Sequence, residues 1–252
     1  MKLRPKNPRL IIRDDDVSYF TDQRHLEYLY KDIWYKIPIC LSIVPFIYAG
    51  QAEVPVGKVD NQYHSIGKNK KLVKYIQKKQ KEGKVRVWQH GMTHEDVLGE
   101  FECEQRHPLH YYRNAKRHLE KHFGEVKVFV APHDRFSHNA IKHVEKLGMD
   151  ICRGFAPLPR EWSKGYFKNL FKLFQMWALN KISPEPLYRP IQPLKYPNHR
   201  ELYSYRINHI TYENIDKIIE RHRKGILCIT VHNRTLDMEG IDKIKYIMER
   251  LK

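Results

Sequence analysis

Apolar residues fall into two alternating patterns along this chain. Short runs rich in Val, Ile and Phe, closed by polar or turn residues, occupy positions 9–13, 37–44, 84–89, 126–131, 150–153 and 226–231, with a weaker run at 202–207. Between them lie charged stretches whose apolar residues recur every three or four positions, at 23–35, 69–81, 109–122, 137–147, 159–180, 213–223 and 240–251. The first pattern predicts buried strands and the second amphipathic helices. "SHNAIKHVEKLG" has Ser137 to cap a helix start and Gly148 to stop it. "TYENIDKIIERHRKG" repeats that arrangement from Thr211 to Gly225. Strand and helix alternate about seven times, which predicts the α/β class and a parallel sheet closed as an incomplete or distorted (β/α) barrel. No fixed-period repeat or linker divides residues 1–252, so a single domain is expected. The Pro-rich stretch 184–197 reads as a long irregular connection over a site.

A parallel barrel does its chemistry where strands end and loops begin. The first strand ends in "RDDDVSYF", with Asp14, Asp15 and Asp16 side by side. On its own such a triplet reads as a solvated turn, because adjacent carboxylates repel and Asp is a poor strand former. Its context argues otherwise. His90 and His94 follow the third strand in "WQHGMTHED", His133 and Asp134 follow the fourth in "APHDRF", and His232 and Asn233 follow the last in "ITVHNRT". Four strand ends therefore deliver Asp or His to one rim. His-x-x-x-His spacing brings two imidazoles to one metal when the backbone makes a helical turn. A carboxylate from the first strand end would complete an Asp-His-His set. Three protein ligands leave positions open, as hydrolytic rather than structural sites do. The second such spacing, His118 and His122 in "RNAKRHLEKHF", reads as a solvated surface pair.

Composition narrows the class. With 252 residues, 41% of them hydrophobic, the chain can bury a sizeable core. The cysteines, Cys40, Cys103, Cys152 and Cys228, are far apart, which predicts neither a disulfide framework nor a structural zinc module and suits a reducing compartment. The N-terminal residues lack a secretory pattern and no run approaches a membrane span, so a cytoplasmic protein is expected. Forty-six Lys and Arg against 29 Asp and Glu give a net charge of +17. The lysines are spread over helical faces, as at 68–86, and no nucleic-acid-binding motif accompanies them. The charge therefore favours anionic partners in general, such as phosphates, acidic glycans or lipid head groups, over specific nucleic acid.

At the rim the sequence resembles the polysaccharide deacetylase superfamily, carbohydrate esterase family 4 and its divergent relatives. Asp15-Asp16 stands for that family's first-strand Asp pair, "HGMTH" for its His-x-x-x-His motif, and Ile229 to His232 for its late His motif. "VAPHDRF" matches the third motif in part: Val130 occupies the place of the Arg that supports the catalytic base there. The tryptophan-bearing fourth motif has no counterpart that we can place. The resemblance implies a metal-dependent hydrolase that removes an acyl group, N-acetyl foremost, from an amino sugar or glycan. It implies one divalent ion on Asp16, His90 and His94, with zinc foremost and cobalt, nickel or iron also suited to Asp/His donors. Asp15 would be the general base and His232 the general acid that protonates the leaving amine. Asp134 or Asp14 would orient His232, and His133 would contact substrate.

Two other readings keep the residues but change the function. One is a different metal hydrolase, or a glycoside-hydrolase-like enzyme that works with two carboxylates and no metal. The other is a basic nucleic-acid- or anion-binding protein whose rim is residual. Residues 162–182, "WSKGYFKNLFKLFQMWALNKI", set aromatics at helical spacing among lysines. They read either as a barrel helix burying that face, or as an interfacial helix in peripheral contact with a membrane bearing a lipid-linked glycan.

Overall fold

The computed structural model describes residues 9–50, 54–55, 57–97, 100–154, 166–182, 189–190, 192–223 and 225–252. In chain order the elements are β1 Arg9–Val17, α1 Gln23–Tyr30, β2 Ile39–Ile43, β3 Phe46–Tyr48, β4 Tyr63–Ser65, α2 Lys70–Lys81, β5 Val85–His90, β6 Asp96–Val97, β7 Glu100–Phe101 and α3 Leu109–Phe123. They continue with β8 Val128–Val130, α4 His138–Lys146, β9 Asp150–Arg153, α5 Tyr166–Ile182, β10 Leu194–Lys195, β11 Arg200–Arg206, α6 Tyr212–His222, β12 Ile226–His232 and α7 Met238–Arg250.

Seven strands run parallel in the order β11-β12-β1-β2-β5-β8-β9, and β9 pairs back onto β11. The barrel is therefore closed with seven parallel strands, as the alternation of the sequence predicts. Each strand is buried on both sides, which is why it reads as an apolar run rather than a clean alternation. On β12, Leu227, Ile229 and Val231 pack outward against the helices, in one cluster with Ile12 of β1, Ile39 and Leu41 of β2 and Ile244 of α7. Inside, Cys40, Trp88, Val130, Cys152, Leu202 and Cys228 form the apolar filling. The interior turns polar toward the strand C-termini, where Arg13, Ser42, Thr230 and Ser204 are buried.

Helix ends follow local chemistry. Ser137 accepts the Ala140 N–H at 3.1 Å, as its position predicts, and Gly148 ends α4 at φ +67°. Several details differ from expectation. Residues 31–35 form turns rather than extending α1, and the described part of the Pro-rich connection contributes β10, antiparallel to β11. His118 and His122 are half-buried, not solvated: His118 Nε2 lies 2.9 Å from Ser65 Oγ and its ring packs against Phe46. The β3–β4 hairpin lies over this face of α3 and takes the rings out of water.

Candidate active site

The Asp triplet resolves into three environments. In a regular strand neighbouring side chains point to opposite faces, so Asp15 and Asp16 could not both serve one site. A bulge removes the conflict. The register of β1 on β2 slips between Asp14 and Val17, and Asp16 takes a left-handed φ of 64°. Asp15 points into the barrel, Asp16 turns over its mouth, and Asp14 faces outward. There Asp14 Oδ1 accepts the backbone N–H of Asn233 at 2.8 Å and its side-chain amide at 3.2 Å. Burial pushes the Asp14 carboxyl up to about 8 against the pull of those Asn233 bonds.

Asp16 Oδ1 lies 3.1 Å from Nε2 of both His90 and His94. One ligand atom from each of the three residues falls within 4.8 Å of the others, the one such cluster among the described residues. Burial alone would raise the Asp16 carboxyl, but hydrogen bonding to the two imidazoles holds it well below the usual carboxylate range. His90 Nδ1 faces the Val130 carbonyl at 3.2 Å, so that nitrogen carries a proton. When His90 Nε2 carries no proton, its lone pair and the Asp16 carboxylate can share a cation in the proton's place. Asp15 Oδ1, moreover, is buried with no hydrogen-bond partner. An anionic donor, an oriented imidazole and an unsatisfied carboxylate oxygen suit a divalent ion.

His94 reaches the site by a route the spacing did not anticipate. His90 is the last residue of β5 and residues 91–94 form a non-helical turn, not a turn of helix. Gly91 has φ +56°, and a Cβ there would stand 2.4 Å from Glu102 Oε2. The buried Glu102 carboxylate clamps the turn, accepting the N–H groups of Met92 at 2.6 Å, Thr93 at 3.3 Å and His94 at 2.8 Å. Left-handed φ recurs around the site, at Asp16, His94, His133 and Asp134. Such backbone persists only where surrounding contacts over-determine it.

His232 is the register partner of Asp15 on the adjacent strand, and its Nε2 lies 3.9 Å from Asp16 Oδ2. Arg234 reaches the same oxygen at 3.3 Å. The His133 ring packs at a tilt against His94, ring centroids 4.7 Å apart. Neither Asp134 nor Asp14 orients His232, which corrects the sequence expectation. Asp134 instead receives Arg13 at 3.2 Å, the Gly154 N–H at 2.7 Å and Arg206 at 3.6 Å, while Asp14 holds the residue after His232.

No family model matches this chain, and no curated protein matches it. Solved structures do. A family 4 carbohydrate esterase from Streptomyces lividans, in complex with acetate, superposes with a TM-score of 0.50 at 10% identity, over 97% of this chain and 88% of that one. A polysaccharide deacetylase from Bacillus cereus gives 0.50 at 10%, over 96% and 86%. This chain has the family 4 carbohydrate esterase fold. A family 4 pseudoenzyme from Bacillus anthracis also matches, with a TM-score of 0.48 at 8% identity; the match covers 98% of this chain and 61% of that longer one.

Arg13 is the cation that meets Asp15 inside the barrel. It is fully buried inside the barrel and donates to Asp15 Oδ2 at 2.6 Å while also pairing with Asp134. Sequence reasoning missed Arg13, Glu102 and Arg234. Arg13 alone left a signal, a charged residue inside an apolar strand run two positions before Asp15. The stripe predicted in residues 162–182 divides: Trp162 and Lys164 lie outside the described residues, Leu173 and Met176 of α5 pack on Leu194 and Tyr203, and Phe171 and Phe174 are exposed. No helix among the described residues is long and apolar enough to cross a membrane.

Proposed function

We propose that this protein is a divergent member of the deacetylase superfamily, a divalent-metal-dependent hydrolase that releases acetate from an N-acetylated amino sugar or glycan. The observation that carries the reading is the pairing of Asp16, His90 and His94 with the unsatisfied Oδ1 of Asp15 at the same barrel mouth. Asp16, His90 and His94 would hold the ion, zinc foremost. When bound, the ion supplies Lewis acidity that polarises the acyl carbonyl and acidifies water.

Asp15 takes the proton of the attacking water on Oδ1, while Arg13 holds Oδ2 and orients the carboxylate. Amide cleavage also requires a proton on the leaving nitrogen, since an amide anion does not depart. His232 Nε2, partly open to solvent beside Asp15's strand, delivers that proton. Water and the amide become acetate and a free amine. The register pairing of Asp15 with His232 on adjacent strands supports these two roles.

Elemental analysis of untagged protein should find about one divalent ion per chain, and His90→Ala should lose it with the fold intact. Asp15→Asn should retain the ion while acetate release from N-acetylchitotetraose falls by about 10²- to 10⁴-fold. Unchanged metal in His90→Ala, or full activity in Asp15→Asn, overturns the assignment.

A further inference from the structure

Beside the catalytic rim lies an open groove of about 950 Å³ that the proposed chemistry does not use. Its walls are the β1–α1 connection, the loop of the β3–β4 hairpin and the start of α2. Asn69 locks two of them together, donating to the carbonyls of Tyr19 at 2.8 Å and Thr21 at 3.4 Å while its Oδ1 caps α2 at Leu72 N–H. The hairpin is tied in turn to the metal-site turn, since Phe46 N–H donates to Met92 at 2.9 Å and Tyr48 N–H to Thr93 at 3.1 Å. The groove's walls are thus bonded to the segments that follow Asp16 and carry His94.

Its lining combines ring faces with uncompensated charge. Tyr19 and His64 stack at 5.0 Å, and Phe20 packs against both. Asp22 pairs with Arg24 at 2.8 Å and Asp60 bonds the His64 ring at 2.8 Å, and the five Lys and Arg of the lining outnumber these two acids. Lys58, Lys68, Lys70 and Lys71 are exposed and make no ion pair with any described residue. Four exposed ammonium groups around one concavity, with Lys58 Nζ 5.9 Å from the Phe20 ring centroid, create a positive potential that concentrates anions. The volume exceeds what a single phosphate needs and lies at the upper end of the ~300–1,000 Å³ typical of organic ligand sites. Ring faces take the apolar face of a pyranose, and lysines spread from the hairpin to the first turn of α2 suit negative charges repeated along a chain.

We infer that this groove binds the flanking residues of an anionic glycan, one carrying carboxylate or sulfate groups, and sets the substrate preference of the adjacent site. The inference rests on the proposed function for the bond that is cleaved, but not for binding. Calorimetry with the full-length protein, at about 50 mM salt where screening is weak, compares N-acetylheparosan tetrasaccharide, which bears a carboxylate on every second sugar, with neutral N-acetylchitotetraose. The anionic probe should bind about tenfold tighter. The preference should shrink at 0.5 M salt and vanish in Lys68→Gln/Lys70→Gln/Lys71→Gln. Lys70→Glu alone, which should reduce it several-fold, serves if the triple variant fails to fold. Equal affinity for the two probes, a preference that survives these substitutions, or tighter binding of oligothymidylate than of heparosan overturns the inference. A lysine-dependent preference without acetate release from either probe upholds the groove and defeats the hydrolase; acetate release from both, without the preference, does the reverse.

Discussion

At the scale of single residues the site turns on one buried cation. Arg13 occupies the barrel interior between Asp15 and Asp134, and its NH1 lies 3.4 Å from the Cys152 thiol. Charges taken out of water cost several kcal/mol each unless paired, so the guanidinium and both carboxylates depend on one another. Arg13→Met should lower stability by about 3–5 kcal/mol, because it strands the buried Asp15 carboxylate and leaves Asp134 only Gly154 and Arg206. Arg13→Met/Asp15→Asn should recover part of that loss, since one stranded charge is then removed; urea denaturation of the four members of the cycle measures it. Additive losses would mean that Arg13 and Asp15 do not support each other. The types of residue at the rim were legible in the sequence, but not this partnership. Arg13 and Asp134 are 121 positions apart, and nothing local to either names the other.

At the scale of elements, two short irregularities make the site. The bulge in β1 lets consecutive carboxylates share one mouth, and the Glu102 clamp shapes the turn that carries His94. The His-x-x-x-His spacing was readable, but its reading as a helical turn was not correct. Three N–H groups find a carboxylate eight to ten positions downstream instead of carbonyls one turn back. Glu102→Gln places an amide where the clamp needs two acceptor oxygens. It should weaken zinc binding by about 10- to 100-fold, as loss of a residue supporting metal ligands commonly does, with competition against a chromogenic chelator as the readout. Unaltered affinity would show that the turn holds its shape without Glu102.

At the scale of the whole molecule, closure of the barrel places a polar seam where β9 meets β11. Arg153 donates to Glu201 at 2.7 Å and to Tyr203 at 3.2 Å, and Arg153 holds the buried Glu201 carboxyl down at about 2 against desolvation. On the next strand's helix, His222 is buried beside Tyr205, 2.9 Å from its hydroxyl, with Arg221 and Arg189 nearby. Burial first, then those guanidinium charges, push it down to about 4 from 6.5. Between those values the unfolded chain binds a proton that the folded one refuses. Stability should therefore fall as pH drops from about 6.5 to 4, by up to about 3 kcal/mol from this group. Denaturation midpoints of His222→Gln should lose that portion of the pH dependence; an identical slope would assign it elsewhere. By itself the sequence determined the alternation of strands and helices, the parallel barrel, and the Asp and His residues at its rim, because hydrophobic period and turn chemistry are properties of neighbouring positions. Only the tertiary structure decided that β9 pairs back onto β11, that Asp15 and Asp16 face one mouth, that Arg13 joins Asp15 to Asp134, and that four lysines surround one groove. Each of these depends on which distant segments meet, and burial, register and charge pairing are settled only when they do.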